Sequence, residues 1–214
     1  MACDASNAML TLEGFMENSS EPVNAAKARE IIEATYHVVL EDGFAQAGIR
    51  KIAARAGVSK YMIHYYFGDK NTLLVELIKK VVWDLNREIL EIIARYPTNE
   101  ERIEKGIRDF WEGFKQDPGH LAILQESVIY GRRIPEIKER IIGFYRGMVE
   151  QLADIVASDP TNRRELTKKE AAALVIHLFA ALDGLAIQYM RDPRLVDYDA
   201  NLELLIRSLK SFIS

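Results

Sequence analysis

Between residues 48 and 70 five basic side chains, Arg50, Lys51, Arg55, Lys60 and Lys70, stand against a single acid, Asp69, with Ser59, Tyr61, Tyr65, Tyr66 and His64 among them. Ammonium and guanidinium groups neutralise phosphate, hydroxyls donate to phosphate oxygens, and side chains at the start of a helix can reach base edges. Large aromatic rings on a solvated face are costly without a role. The mixture points to a nucleic-acid surface. A short packing corner with half-buried tyrosines is the alternative that these residues leave open. His64 is the one side chain in the group able to change charge near neutral pH, so DNA affinity is expected to strengthen slightly as pH falls.

The elements that must position these residues are short. Two helical stretches, 49–56 and 60–67, are separated by Gly57, Val58 and Ser59. Gly57 can take the left-handed conformation that ends one helix, Val58 can plug the core, and Ser59 can cap the next helix. Two such helices cross sharply, as in a helix-turn-helix, whose second helix lies in the major groove. Ile63 and Phe67, one turn apart, would anchor that helix and leave Lys60, Tyr61, Met62, His64 and Tyr65 outward.

Around this pair, apolar residues recur at three- and four-residue spacing and alternating strand-like runs are absent, so the fold class is all-α. A first helix is expected after Asn24 as N-cap, with Ile32, Tyr36 and Val39 on one stripe, a stop at Gly43 and a loop over 44–48. Asp69 should cap a long helix carrying Leu74, Leu77, Ile78, Val81, Leu85 and Ile89 and ending before Pro97, roughly 35 to 40 Å in length. Breaks at Asp117-Pro118-Gly119, Arg133-Ile134-Pro135, Asp159-Pro160 and Asp192-Pro193, a capping box from Thr167 to Glu170, and a last helix over 199–212 bring the expectation to about nine helices.

Composition restricts the remaining function classes. The 214 residues are 49% hydrophobic and 28% charged, which excludes a wholly disordered chain or a fibrous repeat. The net charge of −4 excludes a uniformly basic coat for nucleic acid, and it hides an asymmetry: residues 1–23 carry Asp4, Glu13, Glu17 and Glu21 with no lysine or arginine. Residues 1–23 are expected to be a disordered tail, in which Ser6-Asn7-Ala8-Met9 matches a vector-derived scar. Cys3 is the sole cysteine, so an intrachain disulfide is excluded and a cytoplasmic location is expected. The apolar run 171–190 has membrane-span length but contains His177, Asp183, Gly184 and Gln188, and is read as a buried helix with no membrane partner. No G-x-S-x-G elbow, zinc-binding H-E-x-x-H or metal-ligand cluster occurs, and His37, His64, His120 and His177 are dispersed. Gly43 and Gly48 have phosphate-loop spacing, but Ile49-Arg50 follows in place of Lys and Ser or Thr. The expectation is a chain that is not an enzyme and has no metal or cofactor.

The run Arg50-Lys51-Ile52-Ala53-Ala54-Arg55-Ala56-Gly57-Val58-Ser59, followed by Ile63, Tyr66, Phe67, Lys70 and Leu73-Leu74 and preceded by Gly43-Phe44, resembles the signature of the TetR family. The resemblance implies an N-terminal three-helix DNA-binding domain over 24–70 and a C-terminal helical ligand-binding and dimerisation domain over 71–214. It implies base contacts from Lys60, Tyr61, Met62 and His64, phosphate contacts from Arg50, Tyr65, Tyr66 and Lys70, and Ser59 on the same DNA-binding surface. Two departures matter. Ala47 and Gly48 stand where the family usually has threonines, which removes a capping hydroxyl, and His64 stands where a tyrosine is common.

The implied activity is a transcriptional regulator, a repressor by family default, that a small-molecule effector releases from a double-stranded operator. The alternative is a helical ligand-binding or scaffolding protein without DNA binding. Candidate pocket residues are Trp83, Phe110, Trp111, Phe114, Gln125, Tyr145, Met148 and His177, for each of which ordinary core packing is the competing reading. Asp109-Phe110-Trp111-Glu112-Gly113-Phe114 and Leu182-Asp183-Gly184-Leu185 also look similar to the betaine-pathway branch of the family, which suggests an organic cation held by aromatic faces, with Glu112 or Glu126 supplying charge. The last two helices are implied to pair with those of a second copy in a homodimer. Ala172, Ala173, Ala180, Ala181 and Gly184 permit the close approach this needs, although a helix buried within one chain would show the same small residues.

Overall fold

The computed structural model describes residues 22–132 and 134–213, with backbone alone for 22–24. The described residues form nine helices and no strand: α1 (Pro22–Gln46), α2 (Ile49–Arg55), α3 (Lys60–Phe67), α4 (Lys70–Arg95), α5 (99–116), α6 (Gly119–Gly131), α7 (Pro135–Ala157), α8 (Lys168–Arg191) and α9 (Tyr198–Ile213). All but the last two residues of the expected 1–23 tail lie outside the described residues. Asn24 is not a cap, because α1 already begins at Pro22, whose missing N–H costs nothing in a first turn. At the other end Gly43, with φ +79°, interrupts α1 where the sequence predicts its stop. The expected loop 44–48 is shorter, since 44–46 form a further turn closed by the Ala47 N–H on the Gly43 carbonyl at 3.0 Å.

Packing divides the chain into two compact units, one formed by 22–85 with 122–144 and the other by 86–121 with 145–213. In the first unit, Ile31, Val38 and Val39 of α1, Ile52 of α2, Ile63 and Phe67 of α3 and Leu73, Leu74, Leu77, Ile78 and Val81 of α4 form one buried core. Ile123 of α6 and Ile137 of α7 share that core, so this unit is larger than 24–70 alone. The α1 stripe is turned slightly from the expected one: Tyr36 and Val39 are buried, but Ile31 takes the central place and Ile32 is half-buried. Each such side chain contributes about 1.5 to 3 kcal/mol on leaving water.

In the second unit, α5 starts at Thr98, whose hydroxyl accepts the Glu101 N–H at 3.2 Å. The Thr98-x-x-Glu101 spacing carries this cap signal in the sequence. A π-helical segment, Arg102–Gly106, then widens the helix, and a Cβ at Gly106 would lie 2.9 Å from Ile92 Cγ2, so glycine permits the close approach of α4. Buried Asp159 accepts the Asn99 N–H and faces Arg102 at 3.6 Å, pinning the start of α5 to the turn after α7. Burial opposes the Asp159 charge, but hydrogen bonds from Thr161 and Asn99 together with the Arg102 guanidinium outweigh it and hold its carboxyl below the usual range. The capping box of α8 forms as its sequence predicts, with Thr167 and Glu170 each bonded to the other's backbone N–H.

One expectation is corrected. Helix α8 is long and apolar enough to span a membrane by length and composition, yet it is not a buried helix. Ala171, Val175, Leu182 and Ala186 face the core, while Ile176, His177, Ala180, Gly184 and Ile187 form an exposed stripe. The helix is therefore apolar on its exposed face as well as on its core face.

Candidate nucleic-acid interface

The corner between α2 and α3 is built locally. Gly57 has φ +63°, its N–H bonds the Ala54 carbonyl and the Val58 N–H bonds the Ala53 carbonyl at 3.0 Å, which closes α2. Ser59 then caps α3 by accepting the Met62 N–H at 3.3 Å. Gly48 occupies the N-cap position of α2 in extended geometry with no side-chain hydrogen bond, the consequence of the missing threonine hydroxyl. Ile63 and Phe67 are buried, as their one-turn spacing predicts, and this fixes which face of α3 turns outward.

That outward face carries Lys60, Tyr61, His64 and Tyr65, with Met62 and Tyr66 half-buried at its edges. Tyr61 is 76% exposed and Tyr65 64% exposed, so neither ring is core. Tyr65 and Tyr66 meet edge to face at 5.3 Å. His64 Nδ1 lies 2.8 Å from the Gly68 carbonyl, which makes Nδ1 the donor and leaves Nε2 for an outside partner. At eight residues α3 is roughly 12 Å long, the scale of a major groove.

The basic residues divide by role. Lys51 pairs with Asp42 at 2.6 Å and Arg55 with Glu41 at 2.5 Å, and the Arg55 contact holds the Glu41 carboxyl below the usual range. Lys70 donates to the Phe44 and Ala45 carbonyls at 2.9 and 3.2 Å, and burial lowers its pKa. Arg50 and Lys60 make no ion pair or hydrogen bond among the described residues. The expected cluster is therefore present, but three of its five cations also brace the corner. Sequence reasoning missed this because the acids Glu41 and Asp42 precede the motif.

The candidate pocket residues are distributed. Trp83 and Gln125 belong to the first unit and are half-buried. In the second unit, Trp111 and Phe114 are buried and join Tyr189 and Tyr198, which the sequence reading did not single out, in an aromatic cluster with ring centroids 5.0 to 5.8 Å apart. Phe110 is half-buried beside them in sequence. Tyr145 packs on Phe179 at 6.0 Å, Met148 packs against the core of Val149, Leu152 and Val175, and His177 is exposed on α8. Both acids suggested for a cation already have a partner within the chain. Glu112 is exposed and pairs with Lys115 at 2.6 Å, and Glu126 accepts the Phe44 N–H at 2.9 Å. Burial instead raises the carboxyl of Asp183 on α8, and the Tyr145 hydroxyl is raised by burial and by the Asp183 charge.

Comparison with known proteins places both regions. Residues 31–77 match the family described as bacterial regulatory proteins, tetR family, and residues 99–214 match the C-terminal family of the BetI-type transcriptional repressor. The HTH-type transcriptional regulator BetI 1 of Chromohalobacter salexigens is 27% identical over 192 residues, covering 83% of this chain and 86% of that protein. The regulator PksA of Bacillus subtilis is 27% identical over 186 residues, covering 86% and 89%. Among solved structures, a TetR transcriptional regulator from Legionella pneumophila aligns with a TM-score of 0.68 at 16% identity over 92% of this chain and 100% of that one. The regulator FadR from Bacillus subtilis, solved with stearoyl-CoA, aligns with a TM-score of 0.67 at 21% identity over 85% and 96%.

Proposed function

Because the chain belongs to the TetR family of bacterial regulatory proteins and is a DNA-binding transcriptional regulator, we propose that it acts in the cytoplasm as a homodimeric repressor that a small ligand releases from a palindromic operator. The observation that carries the DNA side is the outward face of α3, where unpaired Lys60 stands beside Tyr61 and Tyr65. In this reading Lys60, Tyr61, Met62 and His64 meet base edges, and Arg50, Ser59, Tyr65, Tyr66 and Lys70 meet phosphates. The Lys70 ammonium spends two of its three protons on the Phe44 and Ala45 carbonyls and has one left for phosphate.

Dimerisation is assigned to α8 and α9. The exposed stripe of Ile176, Ala180, Gly184 and Ile187 on α8, with exposed Leu204 and Phe212 on α9, is an apolar surface in need of a partner. A two-fold pairing of these helices would bury it isologously. The ligand is assigned to the second unit, where the ring of Tyr145 and the carboxyl of Asp183 lie close enough to interact and suit an organic cation. Ligand binding would shift the population towards a state with mismatched recognition helices, a coupling typically of about 1 to 3 kcal/mol or roughly 5- to 150-fold in operator affinity.

Selection of genomic fragments by the purified protein, followed by titration of the selected site at two salt concentrations, tests this. A palindromic site with a steep salt slope is expected. A folded dimer that enriches no fragment would overturn the operator reading.

A further inference from the structure

The turn that joins α1 to α2 is gripped from two other helices. Glu126 of α6 places Oε1 2.9 Å from the Phe44 nitrogen, whose N–H donates to it across 82 residues of sequence. The Phe44 ring is fully buried and lies 5.3 Å from the ring of Tyr130, one turn beyond Glu126 on the same helix. From α4, Lys70 donates to the carbonyls of Phe44 and Ala45. The positive φ of Gly43 favours glycine, and a Cβ there would stand 2.5 Å from Glu126 Oε1 and displace that carboxylate from the Phe44 N–H. On either side of the turn, Asp42 and Glu41 of α1 pair with Lys51 and Arg55 of α2. The angle at which α2 leaves α1, and with it the direction of α3, is thus set at a point that α6 holds by the Glu126 carboxylate and the Tyr130 ring.

We infer that Glu126 is a positioning residue for operator binding: its carboxylate, by accepting the Phe44 N–H, lets the placement of α6 decide the placement of the α2–α3 pair. This rests on the reading that α3 contacts an operator. A hydrogen bond weakens steeply once stretched or tilted, so a displacement of α6 of about 1 Å would release the turn. The contact is charge-assisted and partly buried, which gives it more weight than an exposed pair.

The test uses the full chain with Glu126→Ala, Glu126→Asp and Glu126→Gln, each confirmed folded by circular dichroism. Two quantities are read: amide hydrogen exchange over residues 43–58, and affinity for the operator selected by the parent chain. Ala removes the acceptor and Asp keeps the charge but withdraws its reach, so both should speed exchange and weaken operator binding by roughly tenfold. Gln keeps an acceptor oxygen at the same reach and should restore most of both. Parent-like exchange in the Ala and Asp variants overturns the inference, as does a Gln variant as impaired as Ala. Should Ala fail to fold, the Asp and Gln pair decides alone. Exchange that responds as expected, in a chain that selects no operator, leaves Glu126 as the holder of the turn and removes the operator reading instead.

Discussion

Lys60 and Lys70 look equivalent in the sequence, and the structure separates them. Lys60 is exposed at the start of α3 without a recorded partner, so Lys60→Gln should weaken operator binding by about 1 to 3 kcal/mol with an unchanged melting temperature. Lys70→Met should weaken binding and also lower stability by about 1 kcal/mol, because the Phe44 and Ala45 carbonyls lose their donor. Titration and thermal melts of the two variants check the difference. Tyr61→Ala, at a 76% exposed position, should change stability by less than about 0.5 kcal/mol while impairing DNA binding. A large stability loss there would mean that the ring packs rather than reads. The alternation of buried Ile63 and Phe67 with these residues was legible from spacing alone. The commitment of Lys51, Arg55 and Lys70 to local partners was not, because each pairing depends on how the turn after α1 brings residues 41–45 against α2 and the start of α4.

At the scale of elements, caps and breakers were the most legible features. Ser59, Asp69, Thr167 and Asp192 act where the sequence places them, since a cap needs only local chemistry. Glu170 illustrates the strength of such a site: hydrogen bonds from the Thr167 hydroxyl and N–H, with the Arg164 guanidinium, lower its pKa from 4.5 to about 2. A carboxyl depressed on folding contributes stability above its unfolded pKa and loses it as pH falls through the folded value. Stability should therefore decline between pH 4.5 and about 2, and Glu170→Gln should lack that part of the decline in acid titrations followed by circular dichroism. The π-helical stretch of α5 and the extra turn at 44–46 were not legible, because both depend on how closely another helix approaches.

For the whole molecule, the apolar composition of α8 left burial within one chain and pairing with a second copy open, and its exposed stripe makes a specific demand on assembly. Ile187 is 40% exposed and on that stripe, so Ile187→Asp should leave the fold of the subunit intact and convert the proposed dimer to monomers, with loss of tight operator binding. Sedimentation measurements and operator titration test this together. A variant that remains dimeric would move the interface elsewhere. The division into two compact units is likewise a property of the whole chain, since segments of α6 and α7 complete the core beneath α3.

What the sequence by itself determined is local and periodic: the all-α class, the helix-turn-helix of 49–67, the outward face of α3 and the capped ends of α4 and α8. Propensity, capping and three- to four-residue spacing act over a few residues, so they are written where they operate. Only the tertiary structure decided that Glu126 meets Phe44 and that Trp111 joins Tyr189 and Tyr198. Those pairings span tens of residues, and their partners are chosen by which helix faces share a core, a competition among many apolar stripes of similar composition that no single stripe can settle.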